Sequence, residues 1–152
     1  MSTTLLILAL LAPGCSAERQ ALRAERQEAR TIRMEARRLS EAADLYWRAL
    51  RWEDLGTVAG FLENPDHRVQ WMADDPTVRG GYRYRSAQVM RVDVAPLNPD
   101  DPAARREATV MVRIEGYQVN EQVIRQQLLT QTWYRTRSGW WVEPGQEYGV
   151  AQ

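Results

Sequence analysis

The chain has one cysteine, Cys15, and one histidine, His67. A cysteine thiolate forms disulfides, binds metal ions or is modified covalently. A lone thiol has no disulfide partner within the chain, and one cysteine with one histidine is too small a set of soft ligands for a zinc site. The isolation of Cys15 therefore favours covalent modification, and the residues before it indicate the kind.

An apolar run, Leu5–Ala12, precedes the cysteine. It is too short to cross a bilayer, which takes about 20 residues, but it fits the core of a secretory signal. The stretch APGC, residues 12–15, resembles the lipobox of bacterial lipoproteins, in which the cysteine is lipidated and becomes the first residue after cleavage. The resemblance implies a signal peptide over residues 1–14 and a fatty-acyl anchor on Cys15. The alternative is an exported protein with an incidental cysteine.

Two residues near the cysteine bear on the match to the lipobox and on where such a lipoprotein resides. The family usually has a leucine three places before the cysteine, where this chain has Ala12. A residue other than aspartate after the cysteine, here Ser16, tends to imply the outer membrane. The resemblance therefore implies a lipid-anchored protein of the cell envelope that faces the periplasm, at the outer membrane.

A long helix is predicted directly after the proposed anchor. From Glu18 to about Arg51 there is no glycine or proline, and good helix formers dominate. Apolar residues recur at three- and four-residue steps and predict one seam along the helix, formed by Leu22, Ala29, Ile32, Ala36, Leu39, Ala43, Tyr46 and Leu50.

A row of arginines runs beside this seam, at spacings that stack its members along one helix face: Arg19, Arg23, Arg26, Arg30, Arg33 and Arg37. Only Arg37 has an acid, Glu41, three or four places away, so the row is largely uncompensated within the helix. Three interpretations remain open. The row is a solvated face, or it contacts anionic lipid headgroups or cell wall, or it flanks a weak parallel coiled coil formed on the seam.

Charge is distributed unevenly although the net charge of the chain is zero. Residues 16–38 contain seven arginines and four glutamates, a net charge of +3, and residues 39–152 carry a net charge of −3. We therefore interpret residues 15–40 as a lipid-anchored basic helical tether next to an anionic surface.

The rest of the chain changes from short helices to strands. A short helix is predicted over Thr57–Leu62, and Asp66 is predicted to cap another turn through Met72. Alternating residues predict strands over Tyr82–Ala95, about Ala108–Glu115, Val123–Thr136 and Trp140–Glu143. In the first strand, we expect Met90, Val92 and Val94 on one side. Ser138-Gly139 predicts a tight hairpin, and the tail after Pro144 is predicted to be loose.

One long helix, short helices and then an antiparallel meander of about four strands is the pattern of an α+β fold. The stretches DLYWRALRWEDLGTVAGFL, residues 44–62, and LLTQTWYRTRSGWWVEP, residues 128–144, resemble the nuclear transport factor 2-like superfamily. The resemblance implies a domain over residues 41–147, built as a cone of curved sheet closed by helices. In that superfamily the cone interior is a filled core, a ligand pocket or an enzyme site.

The third of these interiors, an enzyme site, would need acid–base groups inside the cone. Ketosteroid isomerases of the superfamily place an aspartate base and a tyrosine or aspartate donor inside the cone, and Tyr46, Asp93 and Arg113 are the candidate interior groups here. None lies in a recognisable motif, so no catalytic residue is assigned. His67 is interpreted as a polar residue of a surface turn. The acid pairs Asp74-Asp75 and Asp100-Asp101 are interpreted as solvated loop residues.

The sequence indicates no metal site, no cofactor and no nucleic-acid partner. It has no glycine-rich phosphate loop, and the arginine row has no interleaved aromatic residues. Trp47 and Trp133 are predicted to meet in the core, while Trp140 and Trp141, consecutive on a strand, point to opposite faces. The candidate contacts for a ligand or a partner are therefore Tyr46, Trp133, Trp140 and Trp141.

These observations predict a bacterial envelope lipoprotein that acts as a non-catalytic binding or assembly factor for an unidentified envelope protein. The alternative is a protein that holds a small apolar ligand in the cone. A third interpretation is an isomerase- or dehydratase-like enzyme.

Overall fold

The computed structural model of the chain describes residues 14–74, 81–98, 100, 104–121 and 123–152. The signal peptide predicted over residues 1–14 lies almost entirely outside these residues. Asp75, Asp101 and the side chain of Cys15 also lie outside them.

The fold is α+β, as predicted. Three helices come first, α1 (Gly14–Arg51), α2 (Leu55–Ala59) and α3 (Pro65–Ala73), followed by β1 (Tyr82–Val94), β2 (Arg106–Gln118), β3 (Arg125–Arg135), β4 (Trp140–Val142) and β5 (Val150–Ala151). The strands form one curved, open antiparallel sheet in the order β1-β2-β3-β4, with β5 also paired to β3. The long helix and the short helices pack over this sheet.

The helix boundaries follow from local capping. After α1 ends at Arg51, Glu53 takes a positive φ of 59°, and the Asp54 carboxylate accepts a hydrogen bond from the Thr57 amide at 3.1 Å to begin α2. The cap of α3 is Asn64, whose side-chain oxygen accepts from the Asp66 amide at 2.9 Å. The prediction that Asp66 caps this helix was therefore wrong, because Pro65 already occupies its first position.

Two bulges interrupt β1. Its register against β2 shifts between Tyr84 and Ser86 and again between Val89 and Arg91. Each shift inserts one unpaired residue, so the alternation of inward and outward side chains changes phase. Met90 is consequently 47% exposed, whereas Val92 and Val94 are half-buried. The expectation that Met90 shares a side with these valines is wrong.

One edge of β1 pairs with β2, and its other edge pairs with no strand among the described residues. β1 also carries three exposed arginines, and each is paired with an acid: Arg83 with Glu53, Arg85 with Glu115 and Arg91 with Asp93.

The hydrophobic core lies between α1 and the sheet. Leu39, Ala43, Tyr46 and Leu50 of the predicted seam are buried, together with Val110, Val112 and Ile114 of β2. Trp47 and Trp133 both lie in this core, as predicted, and Tyr46 contacts each ring edge-on, with ring centres 5.9 and 5.5 Å apart. Phe61 completes the cluster at 5.6 Å from Tyr46. The space under α1 is thus filled by packed aromatic rings.

Two ion pairs fasten α1 to the sheet. Glu28 accepts two hydrogen bonds from the guanidinium of Arg106, at 2.8 and 3.2 Å, and these bonds lower the pKa of the Glu28 carboxyl. Seven residues later, Glu35 accepts from Arg135 at 3.1 Å and from the Trp140 indole at 3.0 Å. Because these two glutamates lie two helical turns apart, they fix both the position and the rotation of the helix.

The tail after Pro144 is ordered, so the prediction that it is loose is wrong. The buried Gln131 amide donates hydrogen bonds to the carbonyl oxygens of Gln146 and Glu147 at 2.9 and 3.2 Å. The Tyr46 hydroxyl donates to the same Glu147 carbonyl. The side chain of Gln146 accepts from the Thr132 amide at 2.8 Å, and β5 then pairs with β3. Polar groups of the core thus hold the tail across the sheet.

Replacing Gly116 with alanine is expected to destabilise the fold by about 2–3 kcal/mol. A methyl group at this position would overlap the backbone oxygen of Arg83 and the ring of Tyr82, where β2 passes the first bulge of β1. Gly139→Ala is the matched control, because a methyl group there has no atom of the described residues within 4 Å. Urea unfolding of both variants checks this, and equal midpoints would contradict the close approach.

Candidate functional site

The first third of α1 lies clear of the rest of the protein. Residues 16–27 are all exposed, and Glu28 is the first residue with a hydrogen bond to the sheet. At about 1.5 Å per residue, Cys15 lies about 20 Å along the helix axis from that contact. Because α1 begins at Gly14, the proposed anchor residue lies in its first turn, and one helix spans the predicted tether and the start of the predicted domain.

The six arginines of the row are all exposed. Only Arg37 forms an ion pair among the described residues, with Glu41 at 3.3 Å. At about 100° per residue, the centre of the row lies about 160–180° around the helix from Glu28 and Glu35. Since those two glutamates bind the sheet, the row faces away from it. We call this surface, formed by Arg19, Arg23, Arg26, Arg30, Arg33 and Arg37, the back face of α1.

The apolar seam faces the sheet instead. Leu39, Ala43, Tyr46 and Leu50 are buried in the core, and Ala29, Ile32 and Ala36 are half-buried. Leu22 remains 51% exposed. A coiled coil on the seam would have to displace the sheet over most of its length, which weakens the self-association interpretation of the row.

Three of the four aromatic candidates lie in the core. Tyr46 is fully buried, and burial raises the pKa of its hydroxyl well above the ordinary value. The Trp133 indole donates to the Gln131 side-chain oxygen at 2.9 Å, and the Trp140 indole donates to Glu35. Their polar atoms already have partners within the protein, so these side chains contribute to packing.

Trp141 differs from its neighbour Trp140. It is half-buried, its indole donates to the Thr136 hydroxyl at 2.7 Å, and the guanidinium of Arg68 lies 5.5 Å from its ring centre. Of the four aromatic candidates it is the most accessible to a partner.

The candidate acid–base groups are not brought together. Asp93 is on the outward side of β1, with its side chain 54% exposed and paired with Arg91 at 2.6 Å. Arg113 is exposed on β2 and bonds to Gln88. Only Tyr46 is interior, so these three residues do not form a site.

A pairing that sequence analysis missed joins His67 to Glu147. The imidazole Nε2 lies 3.0 Å from the Glu147 carboxylate, and the two side chains are 28% and 9% exposed. Glu147 also accepts from the Gly145 amide at 3.2 Å. His67 lies in α3 and not in a surface turn, so that prediction was wrong. Its imidazole binds the tail through Glu147. No local pattern connects residues so far apart in the chain.

An open groove lies at the end of the molecule where α1 terminates. Its volume is about 300 Å³, and its apolar lining comes from the side chains of Leu50, Leu55, Tyr82, Tyr84, Val119 and Tyr148. Arg51, Glu53 and Arg83 add charge to it. Burial raises the pKa of the Tyr84 hydroxyl. Since Glu28 bonds to Arg106 at the start of β2, the groove lies at the opposite end of the sheet from the exposed part of α1.

The described residues include neither a membrane-spanning helix nor a cluster of metal ligands. None of the helices there combines the length and the apolar character needed to span a bilayer. The same part of the chain contains no group of three or more histidine, cysteine, aspartate or glutamate side chains that could hold a metal ion.

Comparison of the chain with protein-family models finds no match, and comparisons with curated proteins and with solved structures also find none.

Proposed function

We propose that this chain is a lipid-anchored protein of the bacterial cell envelope, attached through Cys15 at the periplasmic face of the outer membrane, and that it acts as a non-catalytic binding or assembly factor. The observation that carries the proposal is the continuity of α1. One helix runs without interruption from the proposed anchor residue into the hydrophobic core.

A continuous helix makes the attachment stiff. The segment between Cys15 and Glu28 contains no glycine or proline, and the helix beyond it is fixed to the sheet by the Glu28–Arg106 and Glu35–Arg135 pairs. A lipid on Cys15 would therefore connect the α+β body to the membrane through a rigid segment of about 20 Å, which suits a protein that presents a surface to a partner.

Because the interior is filled, we expect a partner to bind at the surface of the protein and not inside a cone. Edge-to-face contacts among Tyr46, Trp47, Phe61 and Trp133 occupy the space beneath α1. Membership of the nuclear transport factor 2-like superfamily is part of this proposal. A filled core is one of the interiors expected in that superfamily. The groove beside Leu50 and Tyr82 is the surface best shaped to receive an apolar side chain of a partner.

The groove also favours a second candidate function, the binding of a small apolar ligand. Its volume of about 300 Å³ is at the lower end of the range for small-molecule sites. The isomerase- or dehydratase-like interpretation has less support, because Asp93 and Arg113 lie on outward-facing positions away from Tyr46.

Intact mass spectrometry of the native protein tests the anchor. We expect a chain that begins at Cys15 and carries fatty-acyl groups, and we expect Cys15→Ala to retain the leader. An uncut leader on unmodified wild-type protein would overturn the proposed attachment.

Site-specific crosslinking in native membranes tests the binding role. A photoreactive residue at Val119, which is 52% exposed beside the groove, is expected to capture one discrete envelope protein. The control is the same probe at Thr109, exposed on β2 outside the groove. Capture of no protein at Val119, together with a small molecule retained in native mass spectrometry, would replace the primary proposal by the second candidate.

A further inference from the structure

The back face of α1 is a linear array of positive charge. From Arg19 to Arg37 it extends about 27 Å along the helix axis, and each of its six side chains is exposed. Glu28 and Glu35 are turned to the opposite side of the helix and bound to Arg106 and Arg135. The other two acids of this stretch, Glu18 and Glu25, are exposed, but they lie about 100–120° around the helix from the centre of the back face. The arginines of the back face are therefore separated from most of the acids of the helix.

Large apolar side chains flank this array. Met34 and Leu45 are 48% and 46% exposed and lie on the same flank of α1, about 60–80° around the helix from the centre of the back face. Trp52, 71% exposed, directly follows the last residue of α1, and its amide donates to the Arg48 carbonyl at 3.1 Å. The Arg51 guanidinium lies 5.1 Å from the Trp52 ring centre. Tryptophan beside arginine is the combination found at membrane–water interfaces, where the ring sits at headgroup level.

The second half of the helix is closer to neutral. Glu41 pairs with Arg37, and burial raises the pKa of the Asp44 carboxyl, an effect that the positive charge of nearby Arg48 partly offsets. In this half, contact with a membrane surface would therefore come from the apolar side chains of Leu45 and Trp52 more than from net charge. The first half supplies electrostatic attraction and the second supplies apolar side chains.

We propose that α1 lies lengthwise on the membrane, with the back face against anionic lipid headgroups and the sheet on the side away from the bilayer. This rests on the proposed function in one respect, since Cys15 in the first turn would supply a second attachment at the same surface. Exposed charges interact over a Debye length of about 8 Å at physiological salt. A helix that stood upright on Cys15 would leave Arg30, Arg33 and Arg37 more than about 20 Å above the headgroups.

Vesicle binding by a chain that cannot be lipidated tests this orientation. The mature chain with Cys15→Ser is mixed with phosphatidylcholine vesicles, with or without phosphatidylglycerol. Two double variants are compared, a proximal one (Arg19→Gln with Arg23→Gln) and a distal one (Arg33→Gln with Arg37→Gln). The control is Arg91→Gln with Arg113→Gln, which removes the same charge from exposed positions of the sheet.

We expect both helix variants to bind the anionic vesicles about 30-fold more weakly, at about 1 kcal/mol per arginine, and the control to bind nearly as wild type. An unchanged distal variant would indicate an upright helix and overturn the proposal. An equal loss in the control, or no binding to anionic vesicles at all, would leave only a solvated face. Binding to isolated cell wall but not to vesicles would also overturn it.

Tryptophan quenching gives a second readout that depends on geometry alone. Trp52 lies about 55 Å along the axis from Cys15, so quenching of Trp52 by brominated lipid, together with weaker binding of the proximal variant, is expected only if both ends of the helix lie on the bilayer. Quenching that is lost in Trp52→Phe supports the proposal, and quenching unchanged by that substitution contradicts it. Because the probe protein has no lipid, these outcomes are independent of whether Cys15 is acylated in the native protein.

Discussion

Replacing Glu35 with alanine is expected to destabilise the protein by about 3 kcal/mol. The Glu35 side chain is 9% exposed and accepts hydrogen bonds from Arg38, Arg135 and the Trp140 indole. Its removal leaves the Arg135 guanidinium and the buried indole without their shared acceptor, and an unpaired charge in a poorly hydrated place is costly. The free energy of unfolding in urea measures the effect.

Glu41→Ala is the matched control for this variant. Glu41 lies six residues later in the same helix and also pairs with an arginine, but its side chain is 69% exposed and that of Arg37 is 84% exposed. An exposed pair contributes about 0–1 kcal/mol. If both variants lose the same stability, the Glu35 contacts do not hold α1 on the sheet.

Truncation after Glu143 is expected to cost at least about 4 kcal/mol, a large part of the stability of an ordinary domain. It removes the carbonyl acceptors of Gln131 and Tyr46 and the Gln146 side chain that bonds the Thr132 amide. Each buried group that loses its partner costs about 1–3 kcal/mol. Thermal unfolding followed by circular dichroism is the measurement.

A shorter truncation, which removes only residues 149–152, distinguishes the contribution of the tail's hydrogen bonds to stability from the contribution of β5. It deletes β5, whose two residues are exposed, and keeps Gln146 and Glu147. We expect a loss of about 1 kcal/mol. A long truncation that unfolds at the same temperature as the short one would show that the tail is dispensable, as its glycines and proline suggested.

The parts of the fold that depend on local pattern were predictable. Eight apolar residues at helical spacing located the buried side of α1, and the alternation of Ala108, Val110, Val112 and Ile114 located the inward side of β2. In both elements the repeat of the side chains equals the repeat of the backbone, so the face that turns to the core can be read from the sequence. How far the sheet extends along α1 cannot, and Leu22 of the seam is 51% exposed.

The errors occurred where the decisive contact is distant or where the repeat is broken. Met90 was placed on the wrong side because bulges depend on the partner strand and leave no residue signature in β1. Pro144, Gly145 and Gly149 are typical of loose tails, but the buried Gln131 amide, 15 residues before Gln146, binds this one. In the sequence Glu28 and Glu35 cannot be told from exposed helix acids, because their partners Arg106 and Arg135 are far away in the chain.

Of the candidate site, the arginine row was predictable in full, because spacing alone puts its members on one face. The groove was not, because its lining comes from α1, α2, β1, the turn after β2 and the tail. The aromatic candidates were chosen by residue type, and type does not distinguish Trp133, bonded inside the core, from Trp141 at its margin.

The uncovered edge of β1 has a consequence for a protein gathered on a membrane. Confinement to two dimensions would raise the local concentration of identical copies, and an exposed strand of 13 residues is a template for pairing with another chain. The two bulges break the run of hydrogen-bonding groups that a second copy would need. On the proposed membrane, β1 is therefore expected to resist edge-to-edge pairing with a neighbouring copy while the other surfaces stay free to bind.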